Sequence, residues 1–246
     1  MPPILDAVRI RPALPAVTAA LLVSLVACGD GSSGQTAQDP STTSPGGSAT
    51  SSGSATSDVS CDYPADPRPA TRKVDPPSPT PDAQGAVHVT MKTSIGSLDA
   101  TLDADKTPCT VNSFVSLAQQ GYFDDTPCHR LTTAETRIFV LQCGDPSGTG
   151  TGGPGYTIPD ELSGKETYGP GTLAMANTGQ ADTGGSQFFL VYRSTPLPPT
   201  YTVFGRVDAS AVKAVQKVAA QGTDNAYGQG DGHPNVSVTL DTVTAG

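Results

Sequence analysis

The chain has 246 residues, with 27 Gly, 23 Pro and no Trp, and its 14 Lys+Arg against 23 Asp+Glu give a formal net charge of −9. So large a share of helix and strand breakers excludes a helical bundle or a long coiled coil and favours loop-rich β or mixed architecture. The acidic balance excludes a face for a phosphate backbone, so no nucleic acid partner is expected, and because every Phe and Tyr except Tyr63 lies between Phe114 and Tyr227, one core is expected in the C-terminal two-thirds.

The chain opens with Arg9 and Arg11, followed by an apolar run from Ala13 to Ala27. That run is shorter than the roughly 20 residues that span a bilayer and fits the apolar stretch of a signal peptide, assigned to residues 1–27. Leu25-Val26-Ala27-Cys28 resembles the lipobox of bacterial lipoproteins. The resemblance implies cleavage before Cys28, acylation of that cysteine, and a membrane anchor on the extracytoplasmic face. An ordinary secretory signal and an uncleaved anchor are the alternatives. Of the 29 residues from Gly29 to Ser57, 25 are Ser, Gly, Thr, Ala or Pro. Such a segment buries too little surface to offset its ordering entropy, so residues 28–60 are expected to act as a flexible tether spanning roughly 30 Å. Residues 61–84, with Asp75-Pro76-Pro77-Ser78-Pro79-Thr80-Pro81, favour polyproline II structure and a stiffer spacer.

A domain follows over residues 85–246. Val87, Val89 and Met91, then Leu98, Ala100 and Leu102, alternate with polar residues and predict a β-hairpin with His88 facing solvent. Thr107-Pro108 reads as a helix start, with Val111, Phe114, Val115 and Leu117 at helical spacing and Gly121 as the stop. Short apolar runs at residues 128–131, 138–142, 172–175, 188–192 and 203–207 predict strands between Gly- and Pro-rich loops. A second helix is expected over Ser210 to Gln221, with Val212, Val215, Val218 and Ala219 on one face. Val236, Val238 and Leu240 predict a closing strand. Many short strands with two helices imply a mostly β barrel capped by helices. The glycine loop from Gly148 to Gly155 lacks a Gly-Lys-Ser/Thr ending and a following helix, so it reads as a packed loop and not a phosphate cradle. Cys61, Cys109, Cys128 and Cys143 have no C-x-x-C spacing and only three His accompany them, so no metal and no cofactor are expected. In an oxidising compartment these four allow three disulfide pairings, with four free thiols as the alternative.

Cys128-His129-Arg130-Leu131, Phe139-Val140-Leu141-Gln142-Cys143-Gly144-Asp145, Leu173-Ala174-Met175-Ala176-Asn177, Gly184-Gly185-Ser186-Gln187-Phe188-Phe189 and Val203-Phe204-Gly205 together resemble the cyclophilin family of peptidyl-prolyl isomerases over roughly residues 86–245. The resemblance implies a closed eight-stranded antiparallel β-barrel capped by two α-helices, and proline-containing polypeptides as substrates. It puts Arg130 at the catalytic arginine, Phe139 in the proline pocket beside Val140, and Gln142 next to the substrate backbone. Ala176 and Asn177 would pair with the peptide main chain, Gln187 would form a polar wall, Phe189 the floor, Leu197 an apolar rim, and Tyr201 would stand where a His is frequent. His129, as the strand neighbour of Arg130, should point away from the site. Cys128 and Cys143 fall near-opposite on the two arms of the implied hairpin, which favours pairing them, and Cys61 with Cys109.

The departures are three extra residues between Arg130 and Phe139, Val140 for a frequent Met, and Pro196 for a Trp that many members use to contact cyclosporin. Weak cyclosporin binding is therefore expected, and, separately, a monomer. A module that holds Pro-containing segments without needing turnover is the alternative from the binding class. A hydrolase using Ser186 lacks the second glycine of G-x-S-x-G.

Overall fold

The computed structural model describes residues 59–246. The signal segment, Cys28 and the Ser/Gly/Thr stretch up to residue 58 lie outside the described residues.

Ten strands and two helices follow in the order β1 (Ala86–Thr93), β2 (Gly96–Asp103), α1 (Pro108–Gln119), β3 (Thr126–Pro127), β4 (Arg130–Thr132), β5 (Val140–Cys143), β6 (Thr172–Met175), β7 (Phe188–Val191), β8 (Val203–Val207), α2 (Ala209–Ala219), β9 (Asp231–Gly232) and β10 (Thr239–Ala245). All pairings are antiparallel, in the order β3-β10-β1-β2-β8-β6-β7-β5-β4-β9. This is a curled ten-stranded sheet where eight strands in a closed barrel were expected, and no ladder joins β3 to β9 among the described residues. The count rises by two because the strand expected at residues 128–131 falls in two pieces and because β9 adds a short strand on β4. β3 pairs with β10 and β4 with β5, and only Cys128-His129 separates them.

The hairpin alternation is as the sequence predicts, with Val89, Met91, Leu98, Ala100 and Leu102 buried and His88 exposed. The closing strand starts later than expected, at Thr239, and Val236 is exposed while Val238 is buried. Helix α1 drives Phe114 into the core, where its ring lies 4.9 Å from Phe123 and 5.5 Å from both Phe188 and Phe204. Its Gly121 adopts φ +65°, the left-handed turn that ends a helix. At the other end the Thr107 hydroxyl donates backwards to Asp103 O and caps nothing. The carboxylate of Glu161 caps instead, accepting from the Cys109 and Thr110 amides at 2.9 and 2.8 Å. A negative charge there also meets the positive end of the helix dipole. Helix α2 is capped locally, by Asp208 accepting from the Ala211 amide.

The Pro-rich stretch forms neither helix nor strand, and it lies along the domain and does not stand off from it. Cys61 is bonded to Cys109. The Asp66 and Thr71 amides donate to Gly155 O and Gly153 O, and Thr157 N donates to Pro64 O. Arg72 Nη1 donates to the carbonyls of Gly121, Tyr122 and Asp124 at 2.8 to 3.0 Å, closing off the chain that leaves α1. The docking comes from non-proline donors, from Tyr63, Val74 and Ala83 packed on the core, and from one disulfide, none of which composition signals.

Candidate active site

A pocket of about 180 Å³ opens where β4, β5, β6 and β7 meet the loop before β8. It is lined by Arg130, Thr132, Ile138, Val140, Gln142, Ala176, Asn177, Phe189, Leu197 and Tyr201. A small apolar cluster separate from the main core builds its floor: Val140, Tyr168, Ala174, Phe189 and Val191 are buried, and Leu197, Tyr201 and Ile138 pack against them. The Phe189 and Tyr201 rings meet edge to face at 5.4 Å. Tyr168 fixes Tyr201 by accepting from its amide and donating to its carbonyl.

Eight of the residues singled out from the sequence therefore come together: Arg130, Val140, Gln142, Ala176, Asn177, Phe189, Leu197 and Tyr201. Phe139 does not join them. Val140 and Gln142 of β5 face the pocket with Ile138 just before the strand, while Leu141 and Cys143 turn to the other side with Phe139, so the two-residue period carries over into the approach to β5. Phe139 packs against Tyr192, with the Arg193 guanidinium 4.8 Å from its ring centre. Ile138 takes the place on the pocket wall, and the same alternation read from Val140 would have found it. Replacing Phe189 with Leu is expected to lower kcat/KM roughly tenfold and Phe139→Leu to leave it within about twofold, since only the first removes pocket wall. A steady-state comparison of the two variants on one proline peptide checks this.

Between Arg130 and Phe139, where the extra residues fall, the chain makes a 3-10 turn, Ala134–Thr136, closed by Arg137 at φ +61°. This turn stays outside the pocket, which Thr132 and Ile138 on either side of it line. Cys128 and Cys143 are bonded, with Cα atoms 4.0 Å apart, on the segments that carry Arg130 and Gln142.

Arg130 sits at the rim. Its Nε and Nη2 each donate to one Asp231 carboxylate oxygen at 2.7 Å, which raises its pKa further above the ordinary value. No bond from Nη1 is found among the described residues. Gln142 is oriented in turn: its Nε2 donates to Gln187 Oε1 at 2.9 Å, and Gln187 Nε2 donates to the carbonyls of Gly150 and Gly152. Gln187 thus positions Gln142 and itself lines an adjoining cavity that shares Gln142, Ala176 and Asn177 with the pocket. The glycine loop is folded around buried Asp145, whose carboxylate accepts from the Gly150 and Gly152 amides and from Ser147. Burial alone would raise the Asp145 pKa, but these bonds outweigh it and hold the carboxyl below the usual range. A Cβ at Gly152 would collide with Asp145 and Thr71, so only glycine fits there.

The Asn177 side chain is committed to Thr200 O and the Gly179 amide, and its main-chain N–H and C=O take no bond among the described residues. What Asn177 can offer a bound chain is therefore its backbone. His129 is buried away from the pocket, neither ring nitrogen has a hydrogen-bond partner within bonding geometry among the described residues, and burial lowers its pKa. Among the described residues, no group of three or more His, Cys, Asp or Glu side chains is placed to hold a metal ion. The site is thus an apolar slot with one charged donor at its rim and polar groups along one side. It suits binding and polarisation of a peptide. Sequence reasoning missed Thr132, Ile138 and Asp231. Asp231 is 101 positions from its partner, with no local signal.

Residues 88–244 match the family described as cyclophilin type peptidyl-prolyl cis-trans isomerase/CLD, which is more than half of the chain. Among curated proteins, the chain is 46% identical over 201 residues to a probable peptidyl-prolyl cis-trans isomerase B of Mycobacterium tuberculosis, covering 75% of this chain and 63% of that protein. It is 43% identical over 199 residues to the Mycobacterium leprae protein of the same name, covering 75% and 66%. It is 39% identical over 142 residues to peptidyl-prolyl cis-trans isomerase cypE of Dictyostelium discoideum, covering 56% and 87%. The chain thus spans less than two thirds of the length of these mycobacterial relatives. Among solved structures, a cyclophilin type peptidyl-prolyl cis-trans isomerase of Cryptosporidium parvum superposes with a TM-score of 0.57 at 28% identity, covering 65% of this chain and 98% of that one. A structure of that protein obtained in the presence of the dipeptide Ala-Pro gives a TM-score of 0.56 at 27% identity, with the same coverage.

Proposed function

The chain belongs to the cyclophilin-type peptidyl-prolyl cis-trans isomerase family, and on that footing we propose that it catalyses cis-trans isomerisation of X-Pro bonds in polypeptides, with Arg130 as the catalytic donor. The observation that carries the reading is the Arg130 guanidinium held at the rim of an apolar pocket that Phe189 and Val140 line. Rotation about an amide costs about 18–20 kcal/mol because resonance is lost, and X-Pro bonds interconvert in tens to hundreds of seconds unaided. No bond is made or broken. The pocket holds the pyrrolidine ring while the Asn177 main chain and Gln142 fix the flanking peptide. Arg130 Nη1 donates to the prolyl nitrogen as its lone pair localises, an interaction stronger in the twisted state than in either ground state.

Cys28 as a lipid anchor, an extracytoplasmic membrane location and exported proteins as substrates complete the proposal. The sequence around Cys28 supports them, and the bonded pairs Cys61–Cys109 and Cys128–Cys143 are in keeping with an oxidising compartment. Monomeric behaviour and weak cyclosporin binding, from Pro196 in place of Trp, belong to the same reading. The test is isomerisation of a proline peptide by the purified protein. Binding of the peptide without acceleration would select a holding role. Release of Cys28→Ala protein from the membrane fraction checks the anchor, and retention would refute it.

A further inference from the structure

We propose that Asp231 is the positioning residue of this site, and that the loop from Thr223 to Pro234 is built to deliver it to Arg130. The inference rests on Arg130 being the catalytic donor. Asp231 does not line the pocket, so it acts through Arg130 or not at all. Its carboxylate takes the Nε and Nη2 edge of the guanidinium with two bonds of 2.7 Å, a fork geometry that fixes the plane as well as the place of the group. An arginine at a rim otherwise samples many rotamers. Here the plane is set before substrate arrives, and Nη1 is the nitrogen left to donate. The Asp231 side chain is only 16% exposed, which limits screening by water.

The loop is braced by its own side chains. Asp224 accepts from the Ala226 and His233 amides and from His233 Nδ1, at 2.8 to 3.0 Å. Asn225 accepts from the Gly230 amide, and the Gly230 carbonyl accepts from the Thr133 amide one residue beyond β4. Gly228 and Asp231 bridge, so the turn carrying Asp231 is tight. A Cβ at Gly232 would collide with Asp224, which holds the backbone next to Asp231 against the brace. β9 then pairs Asp231 opposite Thr132 and Gly232 opposite Leu131, setting the carboxylate alongside Arg130.

The experiment is a cycle of Asp231→Ala and Asp231→Asn on the native and Arg130→Ala backgrounds, with kcat and KM measured for one proline peptide and unfolding followed in parallel. Asp231→Ala is expected to lower kcat/KM roughly 10- to 100-fold, chiefly through kcat, because the donor is misplaced. Asp231→Asn, which still presents an oxygen acceptor, should recover part of that loss. On the Arg130→Ala background, Asp231→Ala should change nothing further. An equal loss on both backgrounds would make the role structural and overturn the proposal. Faster turnover in Asp231→Ala would show that the carboxylate competes with substrate and would overturn it too. A large Arg130→Ala loss with Asp231→Ala unaffected removes this proposal alone. An unaffected Arg130→Ala removes the catalytic assignment beneath it as well.

Discussion

Arg130→Ala is expected to lower kcat for prolyl isomerisation by roughly 100- to 1000-fold, about 3 to 4 kcal/mol of transition-state stabilisation, with a much smaller change in KM. The split follows from where the donor acts. In a planar amide the prolyl nitrogen has no free lone pair, so the ground state offers Nη1 nothing to bond. The lone pair appears only as the bond twists, and the interaction is lost from kcat. The floor formed by Phe189, Val140 and Tyr201 stays in place, and so does ring binding. Arg130→Lys should restore little. A single ammonium cannot hold both Asp231 oxygens side-on and also reach the substrate, as the three-nitrogen guanidinium can. Single-turnover measurement on a cis-enriched peptide separates these quantities. A KM effect with kcat unchanged would assign Arg130 to binding.

The Cys61→Ala, Cys109→Ala double variant is expected to lose about 4 kcal/mol of stability, because the bond closes a loop with a sequence separation of 48 residues in the unfolded chain. The strap from Cys61 to Gln84 puts only Tyr63, Val74 and Ala83 against the core, each partly buried. Away from the disulfide it is held by Arg72 on three carbonyls, the Asp75–Gln120 pair of bonds and the backbone bonds to residues 153–157. Losing the tether frees the strap from the glycine loop that orients Gln187 and, through it, Gln142. A rise in KM should therefore accompany the loss of stability, with kcat less affected, since Arg130 and Asp231 lie elsewhere. Denaturant unfolding with and without reductant measures the first effect and steady-state kinetics the second. An unfolding midpoint equal to that of the parent protein would show that the strap is held without the disulfide.

Local periodicity made much of the fold legible. The β1/β2 hairpin, the two helices with their glycine stops and the strands at residues 172–175 and 203–207 follow from residues two, three or four apart in sequence. The resemblance supplied the site, and eight of its residues line one pocket. Phe139 was misplaced although alternation, correctly applied from Val140, excludes it. The strap was read as a spacer because composition reports how stiff a chain is and says nothing of what it touches.

By itself, then, the sequence determined a loop-rich, acidic, mostly β chain with its core in the C-terminal two-thirds, since these depend on composition and short-range order. Only the tertiary structure decided the groups that act across long separations. Glu161 caps α1 from 51 residues beyond Thr110, Asp231 grips Arg130 across 101, and the Cys61 strap lies against the domain it precedes. Each of these rests on polar or covalent contacts closed through space. A lone Glu, Asp or Cys carries no periodic signal for such a contact, and folding creates its partner.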